Sequence, residues 1–130
     1  MSKSDDTATV REANLSFYRA FESLDRASME DIWSKDAPVM CVHPGWPKLR
    51  GWDVVMGSWE RIFDNTSMMQ FTITEAEIAV DGDLAFVVCT ENITSVTDGR
   101  VSEAKVQATN IYRRRDGQWL MVHHHGSPVL

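Results

Sequence analysis

The chain has 130 residues, of which 43% are hydrophobic and 25% charged, and its formal net charge is −6. This length and ordinary globular composition suit one domain that buries a core without a disulfide or metal staple. No apolar run approaches the ~20 residues of a membrane-spanning helix, and the acidic balance argues against a nucleic-acid partner.

Residues 1–7 read as a loose polar tail, without the apolar segment of a secretory signal, and residues 8–130 as a single domain. Cys41 and Cys89 lie in apolar runs and form no C-x-x-C or zinc pattern, as expected of buried thiols in a reducing compartment. The cytoplasm is therefore the expected location, with no cofactor, no metal and no membrane partner.

From Ala8 to Leu24, Val10, Ala13, Phe17, Ala20, Phe21 and Leu24 recur at three- and four-residue steps, one face of a helix. Ser28 is placed to cap a short second helix through Met29–Trp33. Ala37–His43 reads as a strand, and Pro44-Gly45-Trp46-Pro47 as an irregular loop. Gly51–Asp64 returns to helical spacing, with Val54, Val55, Trp59, Ile62 and Phe63 on one side. Four long strands follow, at Met68–Val80, Leu84–Thr97, Val101–Arg115 and Trp119–His125. Asp81-Gly82, Asp98-Gly99 and Asp116-Gly117 separate them as hairpin turns. Helices first and strands last predict an α+β fold, with three N-terminal helices on one face of a curved antiparallel sheet.

The hairpins predict which side chains share a face. A two-residue turn at Asp116-Gly117 pairs Tyr112 with Met121, Asn110 with His123 and Ala108 with His125. His123 and His125 then join Asn110 and Tyr112 on the concave side, and His124 points away. A three-residue loop at Asp98-Gly99 is preferred over a two-residue one, because it adds Thr90 and Asn92 to the same patch. The strand from Leu84 is apolar on both faces. Leu84, Phe86 and Val88 lie on one face and Ala85, Val87, Cys89 and Ile93 on the other. Helices cover only one of them, so a partner sheet is expected on the other.

The run Tyr112–Trp119, followed by Val122-His123-His124-His125-Gly126-Ser127-Pro128, resembles the C-terminal hairpin of SnoaL-like members of the nuclear transport factor 2-like (NTF2-like) superfamily. It is most similar there to the association domain of calcium/calmodulin-dependent protein kinase II. The resemblance extends over Ala8–Pro128. It implies a cone-shaped, cystatin-like fold, a pocket on the concave face and homodimers through the sheet. The kinase domain tends to place arginines in that pocket, and the matching positions here are Thr90 and Asn110. A mostly apolar small molecule is therefore expected in the cone, rather than an anionic peptide or a carboxylate.

Candidate chemistry starts at His43. Ketosteroid isomerase, in the same superfamily, carries a general-base carboxylate near the end of its first strand, close to the place of His43. With Tyr18 or Asn110 as donor, His43 would serve an isomerase, cyclase or hydratase. The plainer reading is a structural histidine. His123 and His125, alternating on one strand, would bind a metal only with a third ligand such as His43, Cys89 or Glu91, and no spacing argument supplies one. Trp46 and Trp52, in and just after the loop at the mouth, are the aromatics expected to touch a ligand. The ligand set is thus Trp46, Trp52, Thr90, Asn92, Asn110, Tyr112, His123 and His125, with His43 and Tyr18 for catalysis. A binding module is the leading expectation, with a ketosteroid-isomerase-like enzyme and an oligomeric association domain as alternatives.

Overall fold

The computed structural model describes residues 3–130. Helices α1 (Lys3–Ser23) and α2 (Arg26–Glu30) lead into strands β1 (Met40–Val42) and β2 (Leu49–Arg50) and helix α3 (Trp52–Asp64). Strands β3 (Met68–Asp81), β4 (Leu84–Thr97), β5 (Arg100–Arg115) and β6 (Gln118–Pro128) complete one sheet of order β2-β1-β6-β5-β4-β3. The three helices and the long four-strand meander are as expected. One pairing is not antiparallel: β1 runs parallel to β6, because α3 and three strands intervene between them in the chain.

Of the expected polar tail, residues 1 and 2 lie outside the described residues, and from Lys3 onward the chain is already helix α1. Asp5 and Asp6 sit in its first turn, where carboxylates favour the helix dipole, and Asp6 is buried against Arg114 at 2.7 Å. The cap of α2 is Asp25, not Ser28: its carboxylate accepts from the Ser28 backbone N–H at 3.3 Å and from the Ser28 hydroxyl at 2.9 Å. In α3 the buried stripe is Val55, Met56, Trp59 and Phe63, and Val54 faces outward at 53% exposure.

Asp98-Gly99 and Asp116-Gly117 both form two-residue turns, with positive φ at each residue, as a type I′ hairpin requires. The remaining hairpin turns at Gly82-Asp83, one residue later than expected, since Asp81 pairs with Leu84. The two-residue turn at Asp98-Gly99 overturns the three-residue loop. Cys89 pairs with Ala108, Val87 with Asn110 and Glu91 with Val106. Thr90 and Asn92 therefore point to the outer face, and Glu91 points inward.

A second correction lies in β6. Tyr112 pairs with Met121 as expected, but Ile111 pairs with His123 and Asn110 with His124. Val122 is the extra residue of a bulge, and one inserted residue inverts the facing of everything beyond it. His124 is buried in the core at 1% exposure, whereas His123 and His125 lie on the outer face beside β1 residues Met40 and Val42. The core under the helices is filled by Phe17, Met29, Trp33, Met56, Trp59 and Met121, all nearly inaccessible.

Candidate active site

A polar cluster interrupts this apolar core. Asn14 and Tyr18, four apart on α1, project from one helix face toward the sheet. Glu91 and Cys89 of β4, Asn110 and Tyr112 of β5, and His124 of β6 meet them. The Tyr18 hydroxyl donates to Glu91 Oε2 at 2.6 Å and accepts from Asn110 Nδ2 at 3.1 Å. Asn110 Nδ2 also donates to Asn14 Oδ1 at 2.9 Å, and Tyr112 donates to the same oxygen at 2.7 Å. The Asn110 side-chain oxygen Oδ1 lies 2.6 Å from His124 Nδ1, so that nitrogen carries the proton.

Glu91 is 2% exposed, and its cross-strand neighbours are the apolar Ile73 and Val106. Burial pushes its carboxyl up from the ordinary 4.5 to about 7, and the Tyr18 hydrogen bond opposes that rise only in part. Tyr18 moves upward as well, first by burial and then by the neighbouring Glu91 charge. The tyrosine therefore stays protonated as a donor, and the carboxyl changes charge near neutral pH. Among the described residues Glu91 accepts no other hydrogen bond. Phe71 closes the cluster on one side, with its ring 5.1 Å from that of Tyr18. Helix α1 ends beside it, where Glu22 accepts from the Phe71 backbone N–H at 2.9 Å. Farther along the concave face Ile93 and Ser95 are only half-buried and Ala104 is exposed, which marks the open end of the cone.

His43 and Tyr18, paired in expectation, have separate partners. His43 Nε2 lies 2.9 Å from Ser58 Oγ, whose proton goes to the Val55 carbonyl at 2.6 Å, so Nε2–H is the donor. Burial lowers the His43 pKa to about 4, and it is neutral at pH 7. His124 is pushed down by burial too, and then by the neighbouring His43. Asn110 and Tyr112 do lie in the cluster. Thr90 instead bonds to Glu75 at 3.3 Å, and Asn92 to Thr72 and Thr74, both on the outer side. Trp46 borders a separate cleft beside α3, and Trp52 lies beneath the Lys35 ammonium at 5.8 Å. Among the described residues no group of three or more metal-ligating side chains occurs.

Sequence reasoning passed over Asn14, weighed Glu91 only as a third metal ligand, and turned His124 away from the site. Glu91 carried a signal: it is the one carboxylate in the apolar run Leu84–Ile93, and a lone acid in such a run is either outward-facing or specially placed.

The SnoaL-like domain family matches residues 10–130. A protein from Streptomyces avermitilis, described as a candidate dehydratase of the NTF2-like family, is 38% identical, with 99% of each chain covered and a TM-score of 0.93. A candidate calcium/calmodulin-dependent protein kinase type II association domain from Thiobacillus denitrificans is 29% identical, covering 94% of this chain and 96% of that one, with a TM-score of 0.83. The F-box protein SKIP8 of Arabidopsis thaliana is 23% identical over 124 residues, or 95% of this chain. The chain spans about half the length of that curated relative, 51%. Sequence and fold agree: the chain belongs to the SnoaL-like domain family, with the NTF2-like fold.

Proposed function

We propose that the domain catalyses proton transfer on a small, mostly apolar carbonyl or hydroxy compound held on the concave face. The observation that carries this reading is the buried Tyr18–Glu91 pair, 2.6 Å apart, with a carboxyl that titrates near 7. A base with its pKa near the working pH is the efficient one. The ionised Glu91 takes the proton from a carbon next to the substrate carbonyl. Tyr18 turns its O–H to the oxygen, where negative charge develops. Isomerisation returns that proton to a different carbon. Dehydration instead expels the β-hydroxyl as water, which takes up the proton from Glu91 and leaves a conjugated double bond. The description of the Streptomyces relative as a candidate dehydratase favours the second outcome.

The site's apolar wall, Phe71 with Ile73 and Ile93, suits a substrate with a hydrocarbon body. His43, neutral and bonded to Ser58, is the weaker base for this chemistry. The test is turnover of small β-hydroxy ketones, followed by the ultraviolet absorbance of the enone. Expected is activity in the wild type that falls at least about a hundredfold in Glu91→Gln. Undiminished turnover in that variant, or loss only in His43→Gln, overturns the assignment of Glu91.

A homodimer through the outer face belongs to the same proposal. Leu84 and Phe86 stand there at 49% and 47% exposure, with Ile111 beside Phe86, a surface a second copy would cover. The two buried, unpaired cysteines fit the reducing cytoplasm.

A further inference from the structure

A second site lies apart from the Tyr18–Glu91 pair. The loop after β1 folds over α3 and leaves a cleft of about 530 Å³, within the range of small-molecule pockets. Trp46, Pro47, Leu49 and Val54 supply its apolar walls, and Arg61 stands at one end. Gly45 and Gly57 of α3 also line it, and a Cβ at either would enter open space.

Arg61 is the informative residue. Its guanidinium carbon sits 5.4 Å over the Trp46 ring, which holds the planar group against one wall. Among the described residues no carboxylate pairs with it, although its neighbour Glu60 is bonded to Arg26 at 2.8 Å. The one acid at the cleft, Asp53, lies eight residues earlier on the same helix, about 12 Å along its axis. It forms no ion pair with Arg61. Val54, 53% exposed on a helix whose other large apolar residues are mostly buried, borders the same space. A stacked, unpaired arginine beside a tryptophan and an apolar wall matches one ligand chemistry: a flat hydrocarbon body ending in a carboxylate. Arginine binds such a group through two parallel hydrogen bonds, and the indole stacks on the ring.

We propose that this cleft is a binding site for small aromatic carboxylates, with Arg61 as the anion anchor and Trp46 as the stacking wall. The inference does not depend on the reading of Glu91, since the two sites share no residue.

The test titrates 2-naphthoate into the full chain labelled with ¹⁵N, with 2-naphthylmethanol as the uncharged counterpart. Saturable shifts are expected at the Gly45 and Gly57 amides and the Trp46 indole N–H. The alcohol should bind about tenfold more weakly than the acid, and Arg61→Gln should erase that difference. Arg61 is exposed, so the variant keeps the fold, and its unchanged amide spectrum in the absence of probe checks this. Equal binding of acid and alcohol to the wild type overturns the proposal. So does full affinity for the acid in Arg61→Gln, or shifts confined to Tyr18, Glu91 and Asn110.

Discussion

Replacing Glu91 by glutamine should stabilise the protein, and by an amount that depends on pH. The substitution keeps the shape and an oxygen to accept the 2.6 Å bond from Tyr18, and removes the buried charge. The folded carboxyl titrates near 7 against an ordinary 4.5. At about 1.4 kcal/mol per pH unit, the ionised form costs about 3 kcal/mol of folding stability. The sign follows from proton counting. Between about pH 4.5 and 7 the folded state holds a proton that the unfolded chain has released, so stability falls as pH rises through that window. Above it the full penalty persists, and below it none remains. The two buried histidines have the opposite slope. His43 and His124 have lowered pKa values, so their contribution is lost as pH falls below the ordinary 6.5. The wild-type profile sums these slopes, and the difference between variant and wild type isolates Glu91. Urea unfolding at about pH 5, 6, 7 and 8 should give a gain in Glu91→Gln that is small at the acid end and reaches about 3 kcal/mol at the alkaline end, roughly 10 °C in Tm. A gain that is constant across pH, or a loss that grows with pH, refutes the assignment of a neutral buried carboxyl in the acid range.

The remaining predictions concern the polar cluster, His43 and the outer face. Asn110→Ala removes the partner of both Asn14 and His124, and should cost about 2–4 kcal/mol in denaturant unfolding. The same loss from His123→Ala, on the outer face, would mean that the bulge at Val122 is misplaced. The His43 ring should titrate near pH 4 by NMR, and remain neutral at pH 6. A midpoint at 6.5 would remove the burial argument. Ser58→Ala should destabilise by about 1–3 kcal/mol, because it leaves His43 Nε2–H without its acceptor. Light scattering should give twice the chain mass of 14.8 kDa for the wild type and the single mass for Phe86→Glu. A wild type of single mass at micromolar concentration would refute the dimer.

The sequence by itself determined the fold class and most element positions. Hydrophobic periodicity separates α1 and α3 from the long strands, and the Asp-Gly pairs mark two of the three hairpin turns in place, because that dipeptide tolerates the positive φ a tight turn demands. The resemblance of Tyr112–Pro128 to the SnoaL-like hairpin pointed to the family. The facing of side chains was decided elsewhere. Strand alternation has period 2, so a one-residue error in register exchanges the two faces of a sheet. Choosing a three-residue loop at Asp98-Gly99 put Thr90 and Asn92 inside in place of Glu91, although Asp-Gly is itself the signal of a two-residue type I′ turn. The bulge at Val122 likewise exchanged His123 and His125 for His124. Its cause is tertiary. With His124 inside, its Nδ1–H meets Asn110, itself held by Asn14 and Tyr18 from a helix more than 90 residues earlier. Period and turn chemistry are properties of neighbouring residues and can be read from the chain. A buried hydrogen-bond network is satisfied only when distant segments meet, so only the tertiary structure could decide which of three consecutive histidines joins it.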